Sequence, residues 1–172
     1  MKTLTMKQPW AQLLVEGHKK IETRSWNTSF RGELLIHSSK KFYFSDMQIC
    51  EVDEHYKRAI PDYTKLATGA IIGSVLITDC VRAEDIRGTL SAAELAFGNY
   101  SDGHFAWITA RPRLFKNPIM NVNGALSLWE YKQISTVGNN NEPQLEEPGE
   151  PDYQGYNKHE EAERMAGYQR LK

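Results

Sequence analysis

The spacing of hydrophobic residues in the first third of the chain predicts short strands separated by one helix. Leu13 and Leu14 follow Trp10 by three and four residues, which places the three side chains on one helical face. Pro9 is tolerated in a first helical turn, and Gly17 is a natural helix end. The predicted elements are a strand over residues 2–7, a helix over 10–17, an extended segment over 17–24 and a buried strand over 33–38.

A long apolar run dominates the middle of the chain. Residues 69–81 give the strongest strand pattern, and Gly73 within them indicates a bulge or the close approach of another backbone. Ser91 and Glu94 have the spacing of a capping box for a short helix that ends at Gly98. The other predicted elements are a helix over 45–59 with an apolar face at Ile49, Val52 and Tyr56, a strand over 104–115, a turn at 123–124 and a last strand or extended turn over 125–131.

Five or six short strands with two or three interspersed helices, in no regular alternation, predict an α+β fold. We expect a small β-barrel with flanking helices rather than a doubly wound sheet. The chain of 172 residues suits one domain, which we place at residues 1–137. Residues 138–172 are rich in Asn, Pro, Gly and Glu, so we expect an acidic, disordered tail with at most a weak helix.

The distribution of charge gives the first indication of a partner. The net charge is −1, but residues 138–172 hold eight acids and four bases, which leaves 17 of the 21 bases and 14 of the 22 acids in residues 1–137. Residues 1–44 alone hold eight bases and three acids, interleaved with aromatic residues. Such a surface can neutralise phosphates and stack bases, although core aromatics with a solvated rim of lysines give the same pattern. The acidic tail is a candidate site for a protein partner.

Other classes of protein are disfavoured by what the sequence lacks. No apolar run is long enough to span a membrane and the N-terminus has no signal-peptide pattern, so we expect a cytoplasmic protein without membrane attachment. Cys50 and Cys80 are far apart, and the five histidines show no zinc-binding spacing. The sequence therefore predicts no metal and no other cofactor, and it leaves the oligomeric state open.

The segment GHKKIETR, residues 17–24, fits a hydrophobic core least. In a straight strand its alternate side chains put Lys20, Glu22 and Arg24 on one face and Lys19 on the other. This pattern suits a charged groove better than a packed interior.

With its surroundings, this segment resembles the signature of ASCH domains, which belong to the PUA-like superfamily. Gly17, Lys19, Glu22 and Arg24 fill all four positions of the signature G-x-K-x-x-E-x-R. The flanking segments QPWAQLLVEG and RGELLIHSSKK and the later segments GAIIGSVLITDC, HFAWI and WEY extend the resemblance over roughly residues 1–132. It implies a PUA-like β-barrel whose cleft is lined by the signature residues and binds RNA or a nucleotide.

Each candidate ligand contact has a structural alternative. Lys19 and Arg24 can bind phosphate or a base edge, whereas Glu22 can accept from a base amino group or only hold the two cations in place. Trp26 can stack a base or pack at the rim, and a histidine such as His37 at the end of a buried strand is more often a core residue. If the signature residues share one cleft, the chain must kink after Gly17. The expected binding residues are Gln8, Trp10, Lys19, Glu22, Arg24, Trp26, Arg31 and His37.

A hydrolase acting on a nucleoside amide or on RNA is the alternative function. The resemblance extends to a bacterial ASCH branch that hydrolyses N4-acetylcytidine, and other members are linked to nuclease activity. That branch shares the lysine at position 19 but has a threonine nucleophile where this chain has Glu22, and a carboxylate is a poor substitute for an activated hydroxyl. If the protein is an enzyme, we expect Lys19 and Glu22 to be catalytic, with a water molecule as the nucleophile.

Overall fold

The structure is a computed structural model that describes residues 1–132. The domain boundary expected at residue 137 and the acidic tail over 138–172 lie outside the described residues. Within residues 1–132, no helix is long and apolar enough to span a membrane.

The described chain contains six strands and five short α-helices. The strands are β1 (Lys2–Met6), β2 (Ile21–Arg24), β3 (Gly32–Ser38), β4 (Ala70–Arg82), β5 (Phe105–Ile119) and β6 (Leu128–Glu130). The helices are α1 (Trp10–Val15), α2 (Phe44–Val52), α3 (Glu54–Ala59), α4 (Ala83–Ile86) and α5 (Ala92–Ala96), with 3₁₀ turns at Tyr63–Lys65 and Arg87–Thr89.

All six strands belong to one mixed sheet, in the order β2-β5-β4-β3-β1-β6. The pair β1–β3 is parallel and the other pairs are antiparallel. Together with the helices between the strands, this sheet confirms the predicted α+β class.

The sheet is strongly curled. Arg24 on the edge strand β2 donates a hydrogen bond from Nη2 to the carbonyl oxygen of Thr5 on β1, at 3.2 Å. In a flat sheet four strand spacings, about 19 Å, would separate these strands, which is far beyond the reach of one side chain. Among the described residues no strand pairing joins β2 to β1 or β6, so the predicted small barrel has the form of a curled half-barrel.

Two hydrophobic cores hold the helices on the sheet. The main core packs α1 against four strands and includes Leu14, Ile36, Val75 and Trp107, each at most 1% exposed. A second core around Tyr56 joins α1 to α2, α3 and α5. The N-terminal helix therefore lies between the sheet and the other helices.

The close approach predicted at Gly73 is confirmed. The register between β4 and β5 shifts between Ile71 and Gly73. A Cβ atom at Gly73 would lie 2.1 Å from the carbonyl oxygen of Arg113, which is far closer than non-bonded carbon and oxygen atoms approach in proteins. Only glycine fits this position without moving a strand.

The single helix predicted over residues 45–59 is wrong, because the chain forms two helices there. Asp53 between them has an extended backbone, and its carboxylate accepts from the N–H groups of His55 and Tyr56 at 2.8 and 3.3 Å. This carboxylate is the N-cap of α3. Val52, predicted on the apolar face, is 72% exposed.

Candidate functional site

The signature segment begins with a turn and not with the predicted straight strand. Gly17 has φ +78°, a left-handed backbone that favours glycine, and its N–H bonds to the carbonyl oxygen of Leu14 at 3.2 Å. The N–H of Lys19 then returns to the carbonyl oxygen of Leu13 at 2.9 Å. Only residues 21–24 are extended, so the assignment of Lys19 to the face opposite Glu22 is corrected.

The turn brings the three charged signature side chains together. Lys19 Nζ lies 3.6 Å from Glu22 Oε2, and Arg24 Nε lies 2.9 Å from Glu22 Oε1. The side chains of Lys19, Glu22 and Arg24 are 1%, 9% and 25% exposed. Both contacts are ion pairs whose geometry does not complete a hydrogen bond, so Lys19 Nζ and Arg24 Nε are buried without a hydrogen-bond partner. Among the described residues, these two donors are therefore not used in hydrogen bonds.

These side chains line a cleft of about 710 Å³. On the side of α1, α2 and α3 its walls are largely apolar and aromatic, with the carboxylate residue Asp53 among them, and Thr23 and Asn99 line it where β2 meets the segment after α5. Among residues 1–132, no three His, Cys, Asp or Glu side chains come together as a metal-binding group. The lining residues are Thr5, Met6, Lys7, Trp10, Lys19, Glu22, Thr23, Arg24, Ile49, Val52, Asp53, Tyr56, Ala96, Phe97, Gly98 and Asn99.

A hydrogen-bonded aromatic pair forms one wall of the cleft. Trp10 Nε1 donates to the Tyr56 hydroxyl, which donates in turn to the carbonyl oxygen of Ala96, both at 2.9 Å. The two rings are edge to face with centroids 6.5 Å apart. Burial raises the pKa of Tyr56 to about 12, so the phenol stays neutral and holds Trp10 in one orientation.

Three of the expected binding residues lie outside the cleft. Gln8 is fully buried, and its side-chain amide donates to a backbone carbonyl in the loop before β4, at 2.8 Å. The ring of Trp26 packs edge to face on Trp107 with centroids 4.6 Å apart. Arg31 is exposed and pairs with Asp79 at 2.8 Å. The geometry favours the structural alternative for each of them.

His37 also lies outside the cleft and lines a smaller pocket of about 340 Å³. Its ring nitrogens lie 3.2 Å from the Thr5 hydroxyl and 3.2 Å from the carbonyl oxygen of Val122. Because a carbonyl only accepts, the proton is on Nε2. Burial lowers the pKa of His37, so the ring is a neutral, hydrogen-bonded core residue.

Sequence reasoning missed the side of the cleft formed by α2, α3 and the segment after α5. Thr23 Oγ1 accepts from the N–H of Asn99 at 3.0 Å, across 76 residues of sequence. No local pattern pairs such distant positions. The only available signal was the position of Thr23 inside the signature segment.

The comparisons with known proteins identify the family of this chain. The model of the ASCH domain matches residues 4–119. The chain therefore belongs to the ASCH domain family, and the resemblance seen in its sequence is confirmed.

Individual relatives are more distant. Activating signal cointegrator 1 from Mus musculus and from Homo sapiens are each 29% identical to the chain over 133 residues, which is 74% of this chain and 22% of those proteins. The chain thus spans about a fifth of the length of these curated relatives. The crystal structure of ASCH from Zymomonas mobilis covers 77% of this chain and 87% of its own, with 12% identity and a TM-score of 0.48.

Proposed function

We propose that the protein binds single-stranded RNA or a nucleotide, and that the cleft receives a nucleobase. The observation that carries this proposal is the Lys19 ammonium, which is 1% exposed and has no acceptor within hydrogen-bond distance among the described residues. A buried ammonium in this state is costly unless a ligand completes its hydrogen bonds. Membership of the ASCH family supports a nucleic-acid ligand.

The central carboxylate favours a base over a phosphate. Glu22 lies between Lys19 and Arg24, so an anion that reached either cation would also approach this carboxylate. Two like charges about 4 Å apart repel by about 4 kcal/mol at an effective dielectric constant near 20, which cancels the attraction of one of the two cations. A base instead offers a neutral carbonyl to the cations and an amino group to the carboxylate, and its flat ring suits apolar walls.

Salt-dependent binding of short single-stranded RNA tests the proposal. If a base occupies the cleft, Lys19→Met weakens binding by about tenfold or more, the value of one charged hydrogen bond, and leaves the slope of affinity against salt unchanged. If a phosphate occupies it, the same variant lowers the magnitude of that slope by about 0.7, the value of one phosphate contact on a single strand. Glu22→Gln distinguishes a base from a phosphate in the cleft even more sharply, because it weakens binding of a base but strengthens binding of a phosphate.

The matched control is Arg31→Met, which also removes one positive charge but at an exposed position outside the cleft. We expect only a small, salt-dependent loss of affinity from this variant. If the unaltered protein binds neither RNA nor nucleotides at low salt, the proposed function is wrong.

A second candidate function is hydrolysis of an N-acylated nucleoside. The observation in its favour is that Lys19 and Glu22, the expected catalytic pair, lie 3.6 Å apart in the same cleft. Incubation with N4-acetylcytidine and related N-acyl nucleosides, followed by chromatography of the products, tests this function. Turnover that is lost in Glu22→Gln and in Lys19→Met would support it. Binding without turnover would leave the chain a binding module.

A further inference from the structure

We propose that Glu94, on α5, is a positioning residue that holds Lys19 in the cleft. This inference rests on the proposed function of the cleft. The Glu94 side chain is buried, with the residue 7% exposed. Its Oε2 accepts from the backbone N–H of Lys20 at 2.9 Å, and its Oε1 accepts from the N–H of Ile21 at 3.1 Å and from the Tyr100 hydroxyl at 2.9 Å.

The Glu94 carboxylate does not make the capping contact that its sequence position predicts. The capping-box spacing predicts that Glu94 turns back to the N–H of Ser91, and half of that motif is present, since Ser91 Oγ accepts from the N–H of Glu94 at 3.2 Å. The Glu94 carboxylate instead reaches the signature turn, more than 70 residues away in the chain. Helix capping therefore does not explain why this carboxylate is buried.

The hydrogen bonds of Glu94 fix the backbone directly after Lys19. On the other side of the same peptide, the carbonyl oxygen of Lys20 accepts from the N–H and the hydroxyl of Thr109, at 3.0 and 2.8 Å. Because the N–H groups of Lys20 and Ile21 and the carbonyl oxygen of Lys20 are all hydrogen-bonded, the backbone is held in one conformation, in which the Lys19 side chain points toward Glu22. Hydrogen bonds from backbone N–H groups to a carboxylate are about twice as strong as neutral ones.

The same helix also carries part of the cleft wall. Residues 96–99, at and beyond the end of α5, line the cleft. Glu94 thus connects the wall to the turn that carries Lys19, and its loss is expected to disturb the placement of Lys19 without removing any group that a ligand would touch. Preorganised binding groups depend on such supporting contacts.

The test is a double-mutant cycle on the affinity for a short single-stranded RNA of mixed sequence. Glu94→Gln puts an amide NH₂ against a backbone N–H, so at least one hydrogen bond to the turn is lost. We expect affinity to fall roughly tenfold, the scale on which groups that orient a ligating residue act. In a Lys19→Met background the same substitution should cause no further loss, because there is no ammonium left to position.

The control is Glu84→Gln, which alters a half-buried carboxylate that accepts from the N–H of Gly103 at 3.3 Å, away from the cleft. It should leave RNA affinity unchanged. A general loss of stability would lower affinity equally in both Lys19 backgrounds, so additive effects in the cycle, or unchanged affinity in Glu94→Gln, would overturn the proposal.

A second measurement keeps the proposal testable if the unaltered protein binds no RNA, the outcome that rejects the proposed function itself. Amide hydrogen exchange at Lys20 and Ile21 and the NMR shift of the Lys19 Cε carbon report the turn directly. Both should change in Glu94→Gln and not in Glu84→Gln, and identical values in the two variants would reject the positioning role. If Glu94→Gln does not fold, Glu94→Asp keeps the charge and withdraws both oxygens from the turn, with the same expected changes.

Discussion

Replacing Lys19 with methionine separates the effect of this lysine on the free energy of unfolding from its expected effect on RNA affinity. Methionine has a similar length and no charge. The lysine side chain is 1% exposed and its ammonium has no hydrogen-bond partner among the described residues, so its burial carries a desolvation penalty. The compensation is attraction to Glu22 at 3.6 Å, about 5 kcal/mol at an effective dielectric constant of 20.

These two terms are of similar size, since the penalty for a buried ion in a protein is also several kcal/mol. Removing one partner of a buried pair usually costs about 3–5 kcal/mol because the other charge is left alone. Glu22 is not left alone in this variant, since Arg24 Nε lies 2.9 Å from its Oε1. We therefore expect the free energy of unfolding to stay within about 1 kcal/mol of the unaltered protein, while RNA affinity falls by about tenfold or more.

Urea denaturation followed by tryptophan fluorescence measures the first quantity, and RNA titration in the same buffer measures the second. Lys20→Met is the matched control, because this neighbouring lysine is exposed and does not line the cleft. Its stability should change by less than about 0.5 kcal/mol, and cleft binding should be retained. If Lys19→Met loses more than about 3 kcal/mol of stability but keeps its RNA affinity, Lys19 supports the fold and the reasoning is refuted.

Other parts of the structure give three further predictions. Gly73→Ala should destabilise the fold by about 1–3 kcal/mol or more, because the new Cβ would lie 2.1 Å from the Arg113 carbonyl oxygen. The control is Gly88→Ala, whose Cβ would meet no atom within 4 Å, and equal denaturation midpoints for the two variants would contradict the prediction. Burial lowers the pKa of His37 from 6.5, so the unfolded chain takes up a proton that the folded chain does not, and stability should fall as the pH drops below that value. A His37→Gln variant that kept this slope would rule out His37 as its source. The pKa of Tyr56 is raised to about 12, so ultraviolet titration should show a late phenol that is missing in Tyr56→Phe, and an unchanged titration curve would count against its burial.

The parts of the fold that depend on neighbouring residues could be predicted from the sequence. The strand order along the chain, the cap of α5 by Ser91 and the close approach at Gly73 each follow from a local pattern, and the structure contains all three. The break at Asp53 also had a local basis, since aspartate is a favoured N-cap. The apolar spacing of Ile49, Val52 and Tyr56 continues across this break and predicts one helix.

The position of the signature turn has a local cause in Gly17, whose φ is +78°, but the conformation of the residues after it could not be predicted, because part of what holds them is distant in the sequence. Alternation places Lys19 opposite Glu22 only if the backbone stays straight, and the carboxylate that holds the turn comes from Glu94. The curl of the sheet depends likewise on long-range contacts, such as the one from Arg24 to Thr5. Family resemblance supplied the expectation that the signature residues share a cleft, and it also indicated that the simple strand needed a kink.

Whether a buried polar group has a hydrogen-bond partner within the protein distinguishes structural residues from candidates for ligand contact. Gln8 and His37 are each at most 1% exposed, and both have hydrogen-bond partners within the protein. Among the described residues, four buried side-chain atoms lack a hydrogen-bond partner. Two of them, Lys19 Nζ and Arg24 Nε, belong to residues that line the cleft, and the other two belong to residues that do not. The 72% exposed Val52 lines that cleft as well. Departures from local preference that gather at one cavity are typical of functional sites, and they support the proposal that RNA binds in the cleft and not at the buried His37.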